Sequence, residues 1–214
     1  MSSKDTKYSK PLHAPRDGGG SETRGGRKER IREALIEAGM EVFREQGFDA
    51  ATVSAIAEKV GISRRTFFRY FAAKDDLVFY WMDEQGAFMS KALQGHDAAR
   101  APVATMQRSF LALAEYHDAQ PQRVRALTHL IFDTPTLSRR YHEEQTRWEG
   151  KFLRMLMRGR RMGAAERFAL QVLLSATITA FVVAIRCWAT SRAKSPLRDQ
   201  VERAFDALNA GAAG

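Results

Sequence analysis

Sulfur chemistry is all but closed to this chain: its 214 residues include one cysteine, Cys187, so no intrachain disulfide can form. Cys187 lies in an apolar run and reads as a buried small hydrophobe. Catalytic signatures are missing too. There is no Gly-x-Ser-x-Gly elbow, no phosphate-cradling glycine loop and no His-Glu-x-x-His pair. The histidines, His13, His96, His117, His129 and His142, are scattered rather than set at ligand spacing. Neither an enzyme nor a resident metal or cofactor is expected. Turn-rich strand runs are scarce, which points to a mostly helical chain. Residues 1–10 are polar and lack a signal-like start, so the cytoplasm is the expected compartment. The longest apolar stretch, 168–188, is interrupted by Gln171, Ser175, Thr177, Thr179 and Arg186. It is expected to be a helix buried in protein rather than in a membrane.

What is present in excess is positive charge. Lys and Arg total 34 against 25 Asp and Glu, a net charge of +9 and a pI near 10.0, which suits nucleic acid, acidic ligands or an anionic surface. Residues 1–26, rich in Ser, Gly, Lys and Arg, have too little apolar surface to pack and read as a disordered basic arm, either tracking phosphates or merely solvated. The most informative segment is 52–71, TVSAIAEKVGISRRTFFRYF. Thr52 can cap a helix whose apolar residues Val53, Ile56, Ala57 and Val60 share one face. Gly61 can end that helix in the left-handed conformation, and Ser63 can cap the next at once. The second helix then opens with Arg64, Arg65 and Thr66, donors placed where a recognition helix meets base edges and phosphates. Phe67 and Phe71 are expected to turn inward against Ile31, Leu35 and Val53.

Thr52, Ile56, Ala57, Gly61, Ile62, Ser63, Thr66, Tyr70, Phe71 and Lys74 resemble the DNA-binding segment of the tetracycline-repressor (TetR) family. The likeness continues upstream through Ile31, Ala34, Leu35, Ala38 and Phe43 to the Gly47-Phe48 stop, and is specific over 30–77. It implies an all-α chain, with a three-helix helix-turn-helix domain at 27–74 followed by a ligand-binding and dimerisation bundle at 75–208 and a frayed tail at 209–214. It also implies that Thr52, Ser63, Arg64, Arg65, Thr66, Tyr70 and Lys74 meet double-stranded DNA. One residue departs from the pattern. Phe68 stands where many members carry a tyrosine whose hydroxyl touches a phosphate, leaving Tyr70 and Lys74 as the phosphate anchors.

Beyond 74 the pattern is helix after helix: 74–93, weakened in its middle by Gly86, then 102–117, a short one from Pro121, 135–159, 168–188 and 196–208. A loop is expected at Gly95-His96-Asp97. Trp81, Phe88, Met106, Phe110, Phe132, Trp148, Phe152 and Met155 lie on apolar stripes of different helices, mostly as core but with room for a ligand cavity among them. Arg147, Lys151, Arg154, Arg158 and Arg161 line one side of a helix, either as a solvated face paired with Glu143 and Glu144 or as a charged mouth with Arg154 at the cavity. Residues 130–148 are also similar to TetR members of the mycofactocin-regulator type, among which fatty acyl-coenzyme A sensing is known. With the basic row Arg147, Lys151, Arg154 and Arg158 at the cavity's mouth, the expected effector is an amphipathic anion such as a long-chain acyl-coenzyme A, a neutral or cationic drug being the rival. Small residues Ala169, Ala176, Ala180 and Ala184, with Leu173, leave a groove for a symmetry mate, so a homodimer is expected. The expected function is a ligand-released repressor of a palindromic operator. The alternative is a constitutive architectural DNA-binding protein, against which stands the length of chain beyond 93.

Overall fold

A computed structural model describes residues 24–93, 100–192 and 195–213. Most of the basic arm and the Gly95-His96-Asp97 loop lie outside them. The described residues form nine helices and no strand: α1 (Arg24–Gln46), α2 (Val53–Lys59), α3 (Arg64–Phe67), α4 (Asp76–Ala92), α5 (Pro102–Asp118), α6 (Pro121–Asp133), α7 (Pro135–Met157), α8 (Ala164–Thr190) and α9 (Leu197–Ala213). Three of these helices open on proline at the first turn, where its missing N–H costs nothing. Several boundaries differ from expectation, among them those of α8, which spans Ala164–Thr190 rather than 168–188. α1 begins at Arg24 rather than 27, and α9 runs through the expected tail to Ala213, because alanines 210, 212 and 213 are strong helix formers.

Two cores hold the chain together. Leu35, Val42 and Phe43 of α1, Ile56 and Ala57 of α2, Phe67 and Phe71, and Leu77 and Val78 of α4 make the first. Leu127 and Ile131 of α6 and Leu137 of α7 also enter it, so the α6–α7 corner is plugged into the helix-turn-helix unit. Met89, Met106, Phe110, Phe152, Phe181, Trp188 and Phe205 belong to the second, where Phe110 stacks on Phe181 with ring centroids 4.5 Å apart. The cores meet inside α4, and Trp81 packs against both.

Polar groups pin the joints. Arg140 of α7 forks onto Asp75 and Asp76 at the start of α4, with 2.6 Å to Asp76 Oδ1, while its plane lies 4.6 Å from the Phe79 ring. Burial disfavours the Arg140 charge, but the bonds to Asp76 and Asp75 outweigh it and raise its pKa. The second oxygen of Asp76 accepts the backbone N–H groups of Ala72 and Ala73, both at 2.9 Å. Arg125 of α6 donates to the last carbonyls of α8, at Trp188, Ala189 and Ser191, and stacks 3.9 Å from the Trp188 ring. Asp118 accepts the N–H groups of Leu197 and Arg198 that open α9.

α8 is the one helix among the described residues long and apolar enough to cross a membrane. It is nonetheless a core helix, with Leu170, Leu174, Ile178, Phe181, Ile185 and Trp188 facing its own protein. Its outer face overturns the reading of Cys187, which is exposed rather than buried. Gly86 is likewise not a loose point. A Cβ there would sit 0.9 Å from the Trp148 ring, so the missing side chain is the seat of that indole. Gly86→Ala is therefore expected to lower stability by about 1–3 kcal/mol through overpacking, despite its better helix propensity. Denaturant unfolding with tryptophan emission checks this, the emission moving to the red as Trp148 is expelled.

Candidate nucleic-acid interface and effector region

The reading surface is assembled from short-range signals. Thr52 Oγ1 accepts Ala55 N–H at 3.1 Å and caps α2, and Gly61, at φ +73°, supplies the left-handed turn that ends it. Ser63 Oγ accepts Thr66 N–H at 3.0 Å and lies 2.9 Å from Thr66 Oγ1, which starts α3. α3 itself is shorter than expected. It covers four residues and then tightens into a turn, with Tyr70 N–H bonded to Phe67 O at 2.8 Å, so Phe71 hangs from the turn rather than from a helix face. Phe67 and Phe71 are both buried, as the spacing predicts.

On the outer side, Ser63, Arg64, Arg65, Phe68 and Arg69 are exposed, and Thr66 and Tyr70 half-buried beside them. The Arg64 guanidinium lies 5.6 Å from the Phe68 ring, and that of Arg69 5.8 Å from the Tyr70 ring. The surface can donate to phosphates and to guanine edges through its arginines, and Phe68 offers a thymine methyl an apolar contact. Arg69 was not named by sequence reasoning, although it stands four positions after Arg65, and the turn after α3 leaves it exposed. Thr52 and Ser63 use their oxygens as caps, and the Ser63 hydroxyl is also engaged with that of Thr66.

Lys74 is the correction. Its ammonium donates to three backbone carbonyls, Phe48 at 2.5 Å, Asp49 at 3.1 Å and Ala51 at 2.8 Å, and lies 4.5 Å from the Phe48 ring. An ammonium has three N–H donors and all are used here. Lys74 therefore locks the α1–α2 loop and does not anchor a phosphate.

The residues expected around a ligand are not gathered around one cavity. Met106, Phe110 and Phe152 are solid core, 1%, 6% and 3% exposed, and Met155 packs against it. Trp148 lies on Gly86. Trp81 and Phe88 border a small, partly enclosed void of about 10 Å³ with Glu84, Gln85, Leu113 and Tyr116. Phe132 instead borders an open depression of about 660 Å³ with Pro135, Ser138, Arg139, His142, Glu143 and Thr146. Side chains of this size simply interlock at crystal-like density when nothing holds them apart. In the basic row, Arg147 pairs with Glu144 at 3.3 Å, Lys151 sits 5.4 Å from the Trp148 ring, and Arg154, Arg158 and Arg161 are exposed. No trio of His, Cys, Asp or Glu is placed to hold a metal among the described residues.

The residues expected at the contact face of α8 are exposed only in part. Ala184 is 1% exposed and belongs to the protomer's own core, and Ala180 packs against that core. Ala169 and Leu173 are exposed and Ala176 half-buried. The apolar side chains that stand outermost are Phe168 at 70%, Val172 at 49% and Val183 at 52%, and Cys187 continues their row.

Residues 35–80 match the family described as bacterial regulatory proteins, tetR family. The chain is 31% identical over 133 residues to the HTH-type transcriptional regulator TcmR of Streptomyces glaucescens, a stretch covering 59% of each protein, so the match spans well short of that relative's full length. It is 24% identical over 177 residues to MftR of Mycobacterium tuberculosis, a regulator named for mycofactocin biosynthesis, covering 83% of this chain and 88% of that one. Thermus thermophilus FadR, a TetR-family repressor crystallised with lauroyl-CoA, superposes with a TM-score of 0.52 at 21% identity, covering 83% of this chain and 92% of that one. At that identity the likeness is one of fold.

The two cation roles separate experimentally. Lys74→Ala is expected to cost about 2 kcal/mol of stability, by leaving buried carbonyls without their charged donor, while the salt slope of DNA binding stays at the wild-type value. Arg64→Ala is expected to do the reverse. Thermal unfolding and a salt titration of DNA affinity check both.

Proposed function

The chain belongs to the tetR family of bacterial regulatory proteins, and from that premise we propose that it is a cytoplasmic repressor, homodimeric, that leaves a palindromic operator when a hydrophobic or amphipathic small molecule enters its C-terminal helices. It is a regulator and not an enzyme. The observation that carries the DNA-binding part is the capped α2–Gly61–α3 unit with Arg64, Arg65 and Arg69 exposed on α3 and the turn after it. A two-fold pair of such units reads two half-sites about one helical turn apart.

Dimerisation is supported by the outward row Phe168, Val172, Val183 and Cys187 on α8, a strip too apolar to leave in water along 27 residues of helix. α7 lies beside it, tied by Glu149 to Ser175. Release is a population shift. A ligand wedged against α4 or α7 favours an arrangement in which the two α3 helices no longer match successive major grooves. An acyl-coenzyme A is one form the effector can take, supported by the exposed Arg154 and Arg158 at the C-terminal end of α7, which suit phosphates, and by the lauroyl-CoA bound to the Thermus thermophilus protein. A constitutive architectural protein would bind DNA with no response to any such molecule.

Arg65→Ala is expected to cost about 1–3 kcal/mol in specific operator affinity and much less on unrelated DNA, since a guanine-reading arginine carries sequence information. Gel shifts on the protein's own promoter measure it, with a long-chain acyl-coenzyme A titrated into the same complex. Equal losses on both DNAs would remove the reading-helix assignment. Val183→Glu places a charge in the proposed seam and is expected to yield monomers at micromolar concentration in sedimentation, with operator affinity falling alongside. An unchanged dimer would move the interface off α8.

A further inference from the structure

His117 is an anomaly in the second core. It is 1% exposed, its ring lies 4.8 Å from the Trp81 ring, and neither ring nitrogen has a hydrogen-bond partner among the described residues. The amide nitrogen of Gln85, one turn along α4 from Trp81, is also buried without one. Buried polar groups are almost always paired, because stranding one forfeits its hydration. Gln85 borders a small, partly enclosed void with Trp81, Glu84, Phe88, Leu113 and Tyr116, and the His117 ring lies against two of that void's walls, Trp81 and Tyr116, whose ring centroid is 5.8 Å away. A core without a further task gains by having leucine or phenylalanine at both positions.

We infer that these groups are the polar end of the effector site, and that the effector's buried part is a flat, neutral, unsaturated ring bearing a hydroxyl or carbonyl. The walls set the shape, because Trp81, Phe88 and Tyr116 offer ring faces and edges to another ring. The hydrogen-bond inventory sets the polarity. Burial holds His117 neutral, its pKa lowered to about 3, so the imidazole offers one N–H and one bare nitrogen, and Gln85 adds an N–H. A hydroxyl can donate to the bare nitrogen while accepting from an N–H. A carboxylate gains no counter-charge there and meets Glu84 at the rim. A saturated acyl chain leaves all these groups as stranded as before, so the ring is inferred in place of the acyl-coenzyme A form given above. At about 10 Å³ the void holds no more than one water, so the ligand enters by parting α4 from α5.

The inference rests on the effector-responsive reading above, and the test reads binding without DNA so that the two fail separately. Full-length protein is titrated with 2-naphthol, naphthalene, 2-naphthoate and dodecanoyl-coenzyme A, followed by calorimetry and tryptophan emission. Wild type is expected to bind 2-naphthol at least tenfold more tightly than naphthalene or 2-naphthoate. In His117→Phe that preference is expected to fall to about one while naphthalene binding persists, and the empty variant is expected to melt no lower than wild type. Gln85→Leu, a second variant, is expected to reduce the preference partially. Equal binding of naphthol and naphthalene by wild type, a preference that survives in His117→Phe, tightest binding by dodecanoyl-coenzyme A without dependence on His117, or no binding of any probe would each overturn the inference. Binding as expected without operator release supports the site and removes the regulatory reading instead.

Discussion

Arg140 holds the two halves of the molecule in register. Its guanidinium reaches from α7 to both carboxylates at the head of α4, and Asp76 passes the constraint on by accepting the N–H groups of Ala72 and Ala73, the residues that follow the reading turn. A forked, partly desolvated pair of this kind is directional in a way that apolar packing is not. Leu137, on the same helix one turn before Arg140, is fully buried in the core of the helix-turn-helix unit. Any displacement of α7 therefore reaches the DNA-reading surface through a charged fork and a packed leucine together. Remove the fork and α3 is still formed, but the charged tie between α7 and the head of α4 is lost.

α4 receives that constraint at one end and supplies the candidate effector region at the other. Its N-terminal turn carries Asp76, its middle carries Trp81, shared between the cores, and beyond these stand Gln85 and Gly86, the latter beneath the Trp148 ring. A rigid helix with one end in each core has few ways to answer a wedge along its length. It tilts, and Arg140 and Lys74 decide how the tilt is divided between the α6–α7 corner and the α1–α2 loop. Packed interiors are bistable rather than continuously deformable, which under the proposed function is how a change of an ångström near Trp81 would become a change in half-site spacing. The coupling needed is modest, 1–3 kcal/mol being typical for an effector.

What the sequence made legible was local. Thr52, Gly61 and Ser63 act within three or four residues of themselves, and the caps and the φ +73° turn stand where their spacing predicts. The prolines that open α5, α6 and α7 marked helix starts for the same reason. The destinations of long side chains were not legible. Lys74 sits where a phosphate anchor is expected, yet it bonds to carbonyls 23 to 26 positions earlier in the chain, a choice that depends on where α1 ends in space. The phase of α8 was lost because it is apolar nearly all round, with alanines on every side, so no stripe distinguishes its own core from a partner. Gly86 was misjudged from propensity alone, since its meaning lies in Trp148, 62 residues away. His117 carried no signal at all in sequence, where a histidine on an apolar face is ordinary and only its unpaired nitrogens set it apart.

The central claim is that two copies of the Arg64–Arg69 surface read a defined DNA sequence. Selection of bound duplexes from a random-sequence pool, by full-length protein at physiological salt, tests it most directly. The expected outcome is enrichment of an inverted repeat whose half-sites lie about one helical turn apart, with the strongest base preferences lost when Arg65 is replaced. A pool that emerges with no sequence preference, or with a single unrepeated site, would contradict it.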